Sequence, residues 1–477
     1  MTEPSAGSGS VRRMRLRPQV YLVSRPDGEL ALHSSQRGER IGRLTEGQLA
    51  ALRQLNTGWH TERELFDTMS RYDGQSDGML LRRLVVGGWL GIRFEYGERM
   101  LFTIRPLGPN PETPPVRPAA PRLSRFALLR RQSGALVLES PLARAVIVVH
   151  DYDVITILHQ LAGSGHDPGA VSLPGAVVDE LIMELSWHRF VHEAEEDSRP
   201  DLAAEQWTPH ELLFHSRSRA GYHDEPFGGT LWAVGRFDPL PGRREPFSGT
   251  AIALPSPAAT TTYPSLTDVL QSRRSIRRQD PEHPLTIDQL GEFLHCGARV
   301  MAVDLDELHE VSLRPTPSGG ALHALEIYPV VTNVAGLAAG MYHYDPFDHL
   351  LEPLPPRDFP ISQLVANAAA AAALPTAPQV LLVISCRFGR VMWKYQSMAY
   401  ALVLKDVGAL FQTFYLVATA IGLAPCALGS GDAELFARAT GLDPVVESSV
   451  GEFMLGSRPA SRLPPALPGR GRQDQDT

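Results

Sequence analysis

Apolar positions along this chain recur at two spacings, and the change of spacing marks out its elements. From Val20 to Ser34 they form two short strand-like runs on either side of Asp27-Gly28, which is a hairpin signal. Leu49, Leu52 and Leu55 then recur at helical spacing behind Thr45-Glu-Gly-Gln48, and Thr61-Glu-Arg-Glu64 opens a second helix. Both quartets are capping-box patterns. Leu80, Leu81, Leu84 and Val85 predict a third helix over 78–87. Strands are predicted at Trp89–Phe94 and Met100–Ile104, across a turn at Tyr96-Gly97-Glu98. Helices followed by a two-stranded wing predict a winged helix-turn-helix module.

The pattern then repeats. Val20–Ser34 aligns without gaps on Phe126–Ser140 at an offset of 106, with six of fifteen positions identical. The register continues, with Ile41 on Ile147, Leu49 on Ile155, Leu52 on Leu158 and Leu55 on Leu161. The second copy predicts helices at Asp151–Leu161 and Gly175–Trp187, then a strand at Phe190-Val191. Two copies make an internal duplication and not a solenoid. Prolines at 106, 109, 111, 114, 115, 118 and 121 predict a semi-rigid linker between them. A winged helix first suggests DNA binding. The third helix carries Arg82 and Arg83, but Gly-Gly-Trp-Leu-Gly follows and no basic stripe is present to hold phosphates, so nucleic acid is not expected as a partner. The arrangement resembles the peptide-clamp domains that recognise leader sequences during ribosomal-peptide maturation. That resemblance implies strand addition, in which an extended peptide pairs with a sheet edge. The alternative is that both copies are scaffold, the second more so than the first.

Composition narrows the classes. The chain has 477 residues, enough for several domains, with 43% hydrophobic and 21% charged residues and a net charge of -8. Its three cysteines, Cys296, Cys386 and Cys426, are far apart, which argues against a zinc knuckle, a CxxC centre or a disulfide framework and fits a reducing compartment. Met1–Ser10 has no apolar stretch of signal-peptide type, and the long apolar runs are broken by Pro, Lys, Asp or Gln. A cytoplasmic location without a membrane span is expected. Trp207–Arg219 predicts a helix. His210 and His215 within it lie five apart and read as packing or interaction residues, so no metal site is expected. Arg236–Pro257 reads as a second Pro/Gly linker.

The second half carries the candidate chemistry. Ser265-Leu-Thr-Asp268 caps a helix that runs into Arg273-Arg-Ser-Ile-Arg277, where guanidinium forks and a hydroxyl suit phosphate oxygens. Thr286-Ile-Asp-Gln289 caps the next helix. Pro317-Ser-Gly-Gly320 lets backbone approach a flat ring, with its N–H groups free for the ring's polar edge. Strands are predicted at Leu325–Thr332, Val380–Cys386, Ala424–Leu428 and Val450–Leu455. Between the second and third stands Met392-Trp-Lys-Tyr-Gln396, where Lys394 and Tyr395 each become a usable base only if their surroundings lower the pKa. A helix of roughly 27 residues follows, apolar on most sides and therefore expected to be buried on most sides.

Four segments together carry a resemblance: Arg273–Arg277, Pro317–Gly320, Lys394-Tyr395 and Gly422-Leu-Ala-Pro-Cys-Ala-Leu-Gly429. Residues 265–459 resemble the nitroreductase-fold flavoproteins, and within them the SagB-type azoline dehydrogenases, which oxidise peptide thiazolines and oxazolines. The expected fold class is α+β. Two winged-helix-like domains, 1–108 and 122–235, flank a linker at 109–121. After a second linker at 236–257 comes a dimeric, antiparallel-rich FMN domain at 258–462, and then a disordered tail at 463–477. The resemblance implies an FMN phosphate held by Arg273, Arg274 and Arg277 beside Ser275, with Arg458 as a further contact. It implies a flavin ring lined by Pro317, Ser318, Gly319, Gly320, Leu428, Gly429 and Ser430, and Lys394 and Tyr395 as the catalytic pair. The implied partners are an azoline-bearing precursor peptide, a cyclodehydratase and a second copy of the chain. The glycines at 319–320 lack the Asn or Gln that follows them in plain nitroreductases. Two other readings stay open: an NAD(P)H-dependent reductase of nitroaromatics or quinones, and a non-catalytic peptide-binding scaffold.

Overall fold

The capping boxes form where the sequence places them. In the computed structural model Thr45 accepts from the Gln48 N–H at 3.2 Å and its own N–H donates to the Gln48 side chain at 3.1 Å, opening α1 (Glu46–Thr57). Thr61 and Glu64 do the same for α2 (Glu62–Asp73). The structure describes residues 9–34, 37–74, 78–111, 117–163, 168–195, 201–221, 223–247, 249–305, 308–355, 357 and 361–460. The expectations for the middle of the first linker and for the tail lie outside them. The chain divides into two units, Met1–Glu225 and Pro226–Thr477.

In the first unit both copies follow one plan. Copy one has β1 (Ser10–Leu16), a meander of β2 (Tyr21–Ser24), β3 (Leu30–His33) and β4 (Gly38–Gly42), then α1, α2 and α3 (Met79–Val86). It closes with the hairpin β5 (Leu90–Tyr96) and β6 (Arg99–Pro106). Copy two has β7 (Pro121–Leu123), the meander β8 (Leu128–Gln132), β9 (Ala135–Glu139) and β10 (Ala145–Val149), then α4 (Tyr152–Leu161), α5 (Gly175–Trp187) and β11 (Val191–Glu193). In each, the first strand pairs antiparallel with the strand after the helices, β1 with β5 and β7 with β11. The hairpin glycines match under the offset as well: Gly28 and Gly134 turn at φ +78° and +83°, where a Cβ would be strained. The helix predicted near Trp207 is α6 (Pro209–Arg217).

The two copies are not separate beads on a linker. Strand β6 of the first pairs antiparallel with β10 of the second, Ile104 opposite Ile147. One seven-stranded sheet results, in the order His60–Thr61, β1, β5, β6, β10, β9, β8. Leu55, Leu84 and Ile104 share a single core with Ile147, Ile157 and Leu181. An open edge on β6 would leave unpaired backbone groups, and joining it to β10 removes that edge. The proline-rich stretch is also tied down at its start, since Asn110 donates to the carbonyls of Val85 (2.9 Å) and Val86 (2.7 Å).

The second unit is built on an antiparallel sheet. In chain order it contains α7 (Leu266–Ser272), α8 (Ile287–Ala298), the hairpin β12 (Ala302–Leu305) and β13 (Glu310–Leu313), and β14 (Leu325–Val331). Then come β15 (Gly340–Asp345), β16 (Leu350–Pro353), α9 (Ser362–Ala371), β17 (Val380–Arg387) and α10 (Phe388–Met392). It closes with α11 (Ala399–Ala420), β18 (Leu423–Leu428), α12 (Ala433–Thr440) and β19 (Glu447–Ser457). The sheet order is Ile252–Ala253, β16, β15, β14, β17, β19, β18. Every residue of β17 is buried, as a central strand covered on both faces requires. One face packs on α8 and α11, where Phe293, Phe414 and Phe453 meet; the other packs on α9 and α12.

Two expectations change here. Residues 236–257, expected as a linker, belong to the second unit. Arg243 pairs with Asp345 (2.5 Å) and Asp348, Arg244 with buried Glu447, and Arg390 holds the carbonyl of Leu240 (2.7 Å). Composition could not reveal this, because the carboxylates lie 100 to 200 residues further on. The long helix, expected to be buried on most sides, buries one stripe: Ala399, Val403, Val407, Leu410, Phe414 and Ala418. Tyr400 and Leu404 are 39% and 40% exposed. At 22 residues, with a mean hydropathy of 1.4 over an 18-residue stretch, α11 is long and apolar enough to cross a membrane, yet its buried stripe packs on the sheet.

Candidate functional site

Lys394 and Tyr395 follow α10 directly, and Tyr395-Gln396 forms a short strand against Gly228-Gly229. The Pro317–Gly320 loop meets this pair. Gly320 has φ +66°, and a Cβ there would stand 2.7 Å from the Tyr395 hydroxyl and 3.4 Å from Lys394 Nζ. Only glycine leaves the space in which these two side chains close on the backbone. Ser318 and Gly319 face Asp406 on α11: the Ser318 hydroxyl donates at 2.7 Å and the Gly319 N–H at 3.1 Å. Ser318 Oγ also accepts from the His323 N–H at 3.0 Å. The Gly319 N–H is thus committed to the protein. That differs from the expectation that both glycines would offer N–H groups to a ring.

The electrostatics separate the two candidate bases. Burial, reinforced by the Asp406 carboxylate, pushes the Tyr395 phenol above its ordinary value, so Tyr395 keeps its proton. Burial likewise raises the Asp406 carboxyl, against the pull of the Ser318 and Gly319 donors. His323 is lowered to about 4, by burial first and then by Arg314 and Arg390, and stays neutral. Of 45 basic Lys and Arg residues only two are lysines, Lys394 and Lys405. Arginine serves every other cationic position, and lysine is the one of the two that can give up its proton in a protein.

A second cluster gathers the arginines. Arg273 stands over the Tyr415 ring, 5.2 Å from its centre, and Ser275 Oγ lies 2.8 Å from the Tyr415 hydroxyl. That hydroxyl accepts from the Ala427 N–H at 2.8 Å, and the Ile276 N–H donates to Pro425 O at 2.8 Å. The cluster therefore backs onto β18, which leads through buried Leu428 to exposed Gly429 and Ser430. Arg274 is turned onto the carbonyls of Gln271 and Arg273. Among the described residues no carboxylate pairs with Arg273, Arg274 or Arg277. Arg458 is exposed just beyond β19. The two clusters touch α11 at Asp406 and Tyr415, about 13 Å apart along the helix axis.

Four residues that the sequence reading did not single out belong here: Asp406, Tyr415, His309 and Glu452. Asp406 had a signal, an acid in an apolar helix; the others had none. Glu452 lies against Gly431 and is raised to about 7, chiefly by burial. His309 Nε2 is 3.3 Å from Lys394 Nζ.

The first unit carries a separate groove of ≈ 520 Å³ between the end of β4 and α3. Ile41, Leu44, Leu80 and Val86 line it with Arg43 and Arg82. Among the described residues β4 pairs only with β3. Its equivalent under the offset, β10, has its outer edge filled by β6. No three His, Cys, Asp or Glu side chains among the described residues gather as a metal site.

Residues 121–224 match the family model described as Cyanobactin oxidase ThcOx, and residues 270–457 that of the Nitroreductase family. MJ1384 of Methanocaldococcus jannaschii, named as a nitroreductase, is 30% identical over 165 residues, covering 35% of this chain and 78% of that protein. Trifolitoxin-processing protein TfxB of Rhizobium leguminosarum bv. trifolii is 28% identical over 34% of this chain and 44% of its own length. Microcin B17-processing protein McbC of Escherichia coli is 32% identical over 23% of this chain and 42% of its own length. The chain thus spans less than half of the two peptide-processing proteins.

Proposed function

The chain belongs to the nitroreductase family, and from that premise we propose that it is an FMN-dependent dehydrogenase acting on a ribosomally made precursor peptide. It oxidises thiazoline and oxazoline rings in that peptide to thiazoles and oxazoles. The observation that carries the reading is the closure of Lys394 and Tyr395 on the Gly320 backbone, which sets an amine and a phenol together against the glycine loop. The similarity to two peptide-processing proteins and to a cyanobactin oxidase supports the peptide as substrate.

The residues fit FMN. Three arginines without a described carboxylate partner, beside Ser275, suit its phosphate, with Arg458 as a further contact. Pro317–Gly320 and Leu428–Ser430 suit its ring. When bound, FMN supplies the acceptor for the two electrons that leave the azoline as hydride from Cβ, with O2 as the final acceptor. Lys394 takes the Cα proton. Tyr395, which keeps its own proton, donates a hydrogen bond beside it. Asp406 holds the loop under both through Ser318 and Gly319. A second copy covers the exposed Tyr400–Leu404 face of α11. If the paired helices run antiparallel, the Asp406 end of one meets the Tyr415 end of the other, so a complete site draws on both protomers. The β4–α3 groove takes an extended, acidic stretch of the precursor as an added strand, as β6 already fills the equivalent edge of copy two, and a cyclodehydratase supplies the azolines.

The test is a visible spectrum of the purified chain with mass identification of the released cofactor, followed by turnover of an azoline peptide by parent and Lys394→Ala. The expected result is bound FMN in both and azole formation in the parent alone. Equal turnover in Lys394→Ala removes Lys394 from the reaction. Flavin bleached by NAD(P)H without azole formation makes the protein a reductase of nitroaromatics or quinones. A colourless protein that FMN does not reconstitute leaves a peptide-binding scaffold.

A further inference from the structure

The β12–β13 hairpin brings a residue to the catalytic pair that neither the sequence reading nor the reaction proposed above assigns. His309, immediately before β13, is 6% exposed and places Nε2 3.3 Å from Lys394 Nζ. Its ring also packs on Trp393, the residue before Lys394, at 6.0 Å between centres. We propose that His309 is the positioning residue for Lys394: its Nε2 lone pair accepts one N–H of the Lys394 amine, which leaves the amine's own lone pair for the incoming proton and aims Nζ at the surface above Gly320. This rests on the reading of Lys394 as the proton acceptor.

The surrounding framework supports a fixed aim. The buried guanidinium of Arg390 on α10 donates to Glu310 O at 2.9 Å, to Leu322 O at 2.9 and 2.7 Å, and to Leu240 O at 2.7 Å. Glu310 is the residue after His309, and Leu322 lies two residues after Gly320. One side chain thus ties together the hairpin beside His309, the glycine loop and the helix α10 that precedes Lys394. A free lysine side chain samples many rotamers, whereas one held at its tip by a hydrogen bond and at its base by this frame points one way. An acceptor at Nε2 requires the proton on Nδ1, so the imidazole is neutral when it holds the amine.

The test uses His309→Leu, which removes the acceptor, and His309→Gln, which restores one. Each is checked for flavin content and melting temperature as the full chain. Because Lys394 and Lys405 are the only lysines, trace acetylation followed by mass spectrometry reads Lys394 against an internal control. The expected result is a several-fold change in the Lys394-to-Lys405 labelling ratio in His309→Leu and a near-parental ratio in His309→Gln. With azoline peptide, kcat falls by about 10- to 100-fold in the Leu variant while KM stays, and Gln recovers most of it. An unchanged labelling ratio in folded, flavin-loaded His309→Leu overturns the proposal, and so does a changed ratio with unchanged kcat. If the parent makes no azole, the dehydrogenase reading fails while the labelling ratio still decides whether His309 holds Lys394.

Discussion

Replacing Gly320 by alanine tests whether the glycine loop and the Lys394–Tyr395 pair form one site. Two effects add. At φ +66° a Cβ costs about 1–2 kcal/mol in backbone strain alone. The new methyl would also sit 2.7 Å from the Tyr395 hydroxyl. Reaching ordinary contact near 3.5 Å moves that hydroxyl by roughly 0.8 Å. Gly422→Ala isolates the first effect, since Gly422 has φ +75° and a Cβ there would meet no atom within 4 Å. Both variants should melt a few degrees lower, at about 2–4 °C per kcal/mol. Only Gly320→Ala should also lose turnover, by about 10- to 100-fold, because a displacement approaching 1 Å at a reacting group is that costly. The assays are thermal melting, flavin content and the kcat for azole formation. If Gly320→Ala loses no more turnover than Gly422→Ala at equal flavin content, Tyr395 and Lys394 do not act above that loop.

Three further outcomes are expected. Glu452, raised by burial to about 7, holds its proton in the folded state after the unfolded state has released it, so stability falls as pH rises from about 4.5 to 7, by roughly 2–3 kcal/mol; Glu452→Gln should flatten that slope in denaturant melts at pH 5 and 7, and an unchanged slope would clear Glu452. Leu404→Glu, on the exposed face of α11, should abolish the proposed dimer in sedimentation and lower the flavin content; a flavin-loaded dimer would place the interface elsewhere. Arg43→Glu with Arg82→Glu should weaken binding of an acidic precursor segment about tenfold or more in calorimetry while leaving flavin content unchanged, and parental affinity would return copy one to a scaffold.

Much of the local architecture was legible. Thr45-Gln48, Thr61-Glu64 and Thr286-Gln289 each form the capping box their residues specify, because a cap is made within four positions. The duplication was legible as well, since equivalent glycines turn equivalent hairpins. At the candidate site the sequence marked the segments at 273–277, 317–320 and 394–395, but it did not divide them between two ends of α11. It missed Asp406 under the glycine loop, 88 residues from Ser318, and His309 beside Lys394, 85 residues away.

What the sequence determined by itself is what short-range geometry decides: helix starts, hairpin turns, the apolar runs that become strands, and a lysine where arginine serves nearly everywhere else. Only the tertiary structure decided which edges meet and which side chains share a desolvated space. Strand β6 joined β10 because an open edge is costly, and 236–257 left its linker role because buried carboxylates awaited Arg243 and Arg244. Tyr395 keeps its proton because burial and Asp406 disfavour the phenolate. These are free energies of pairs far apart in the chain, and no local pattern of residues records them.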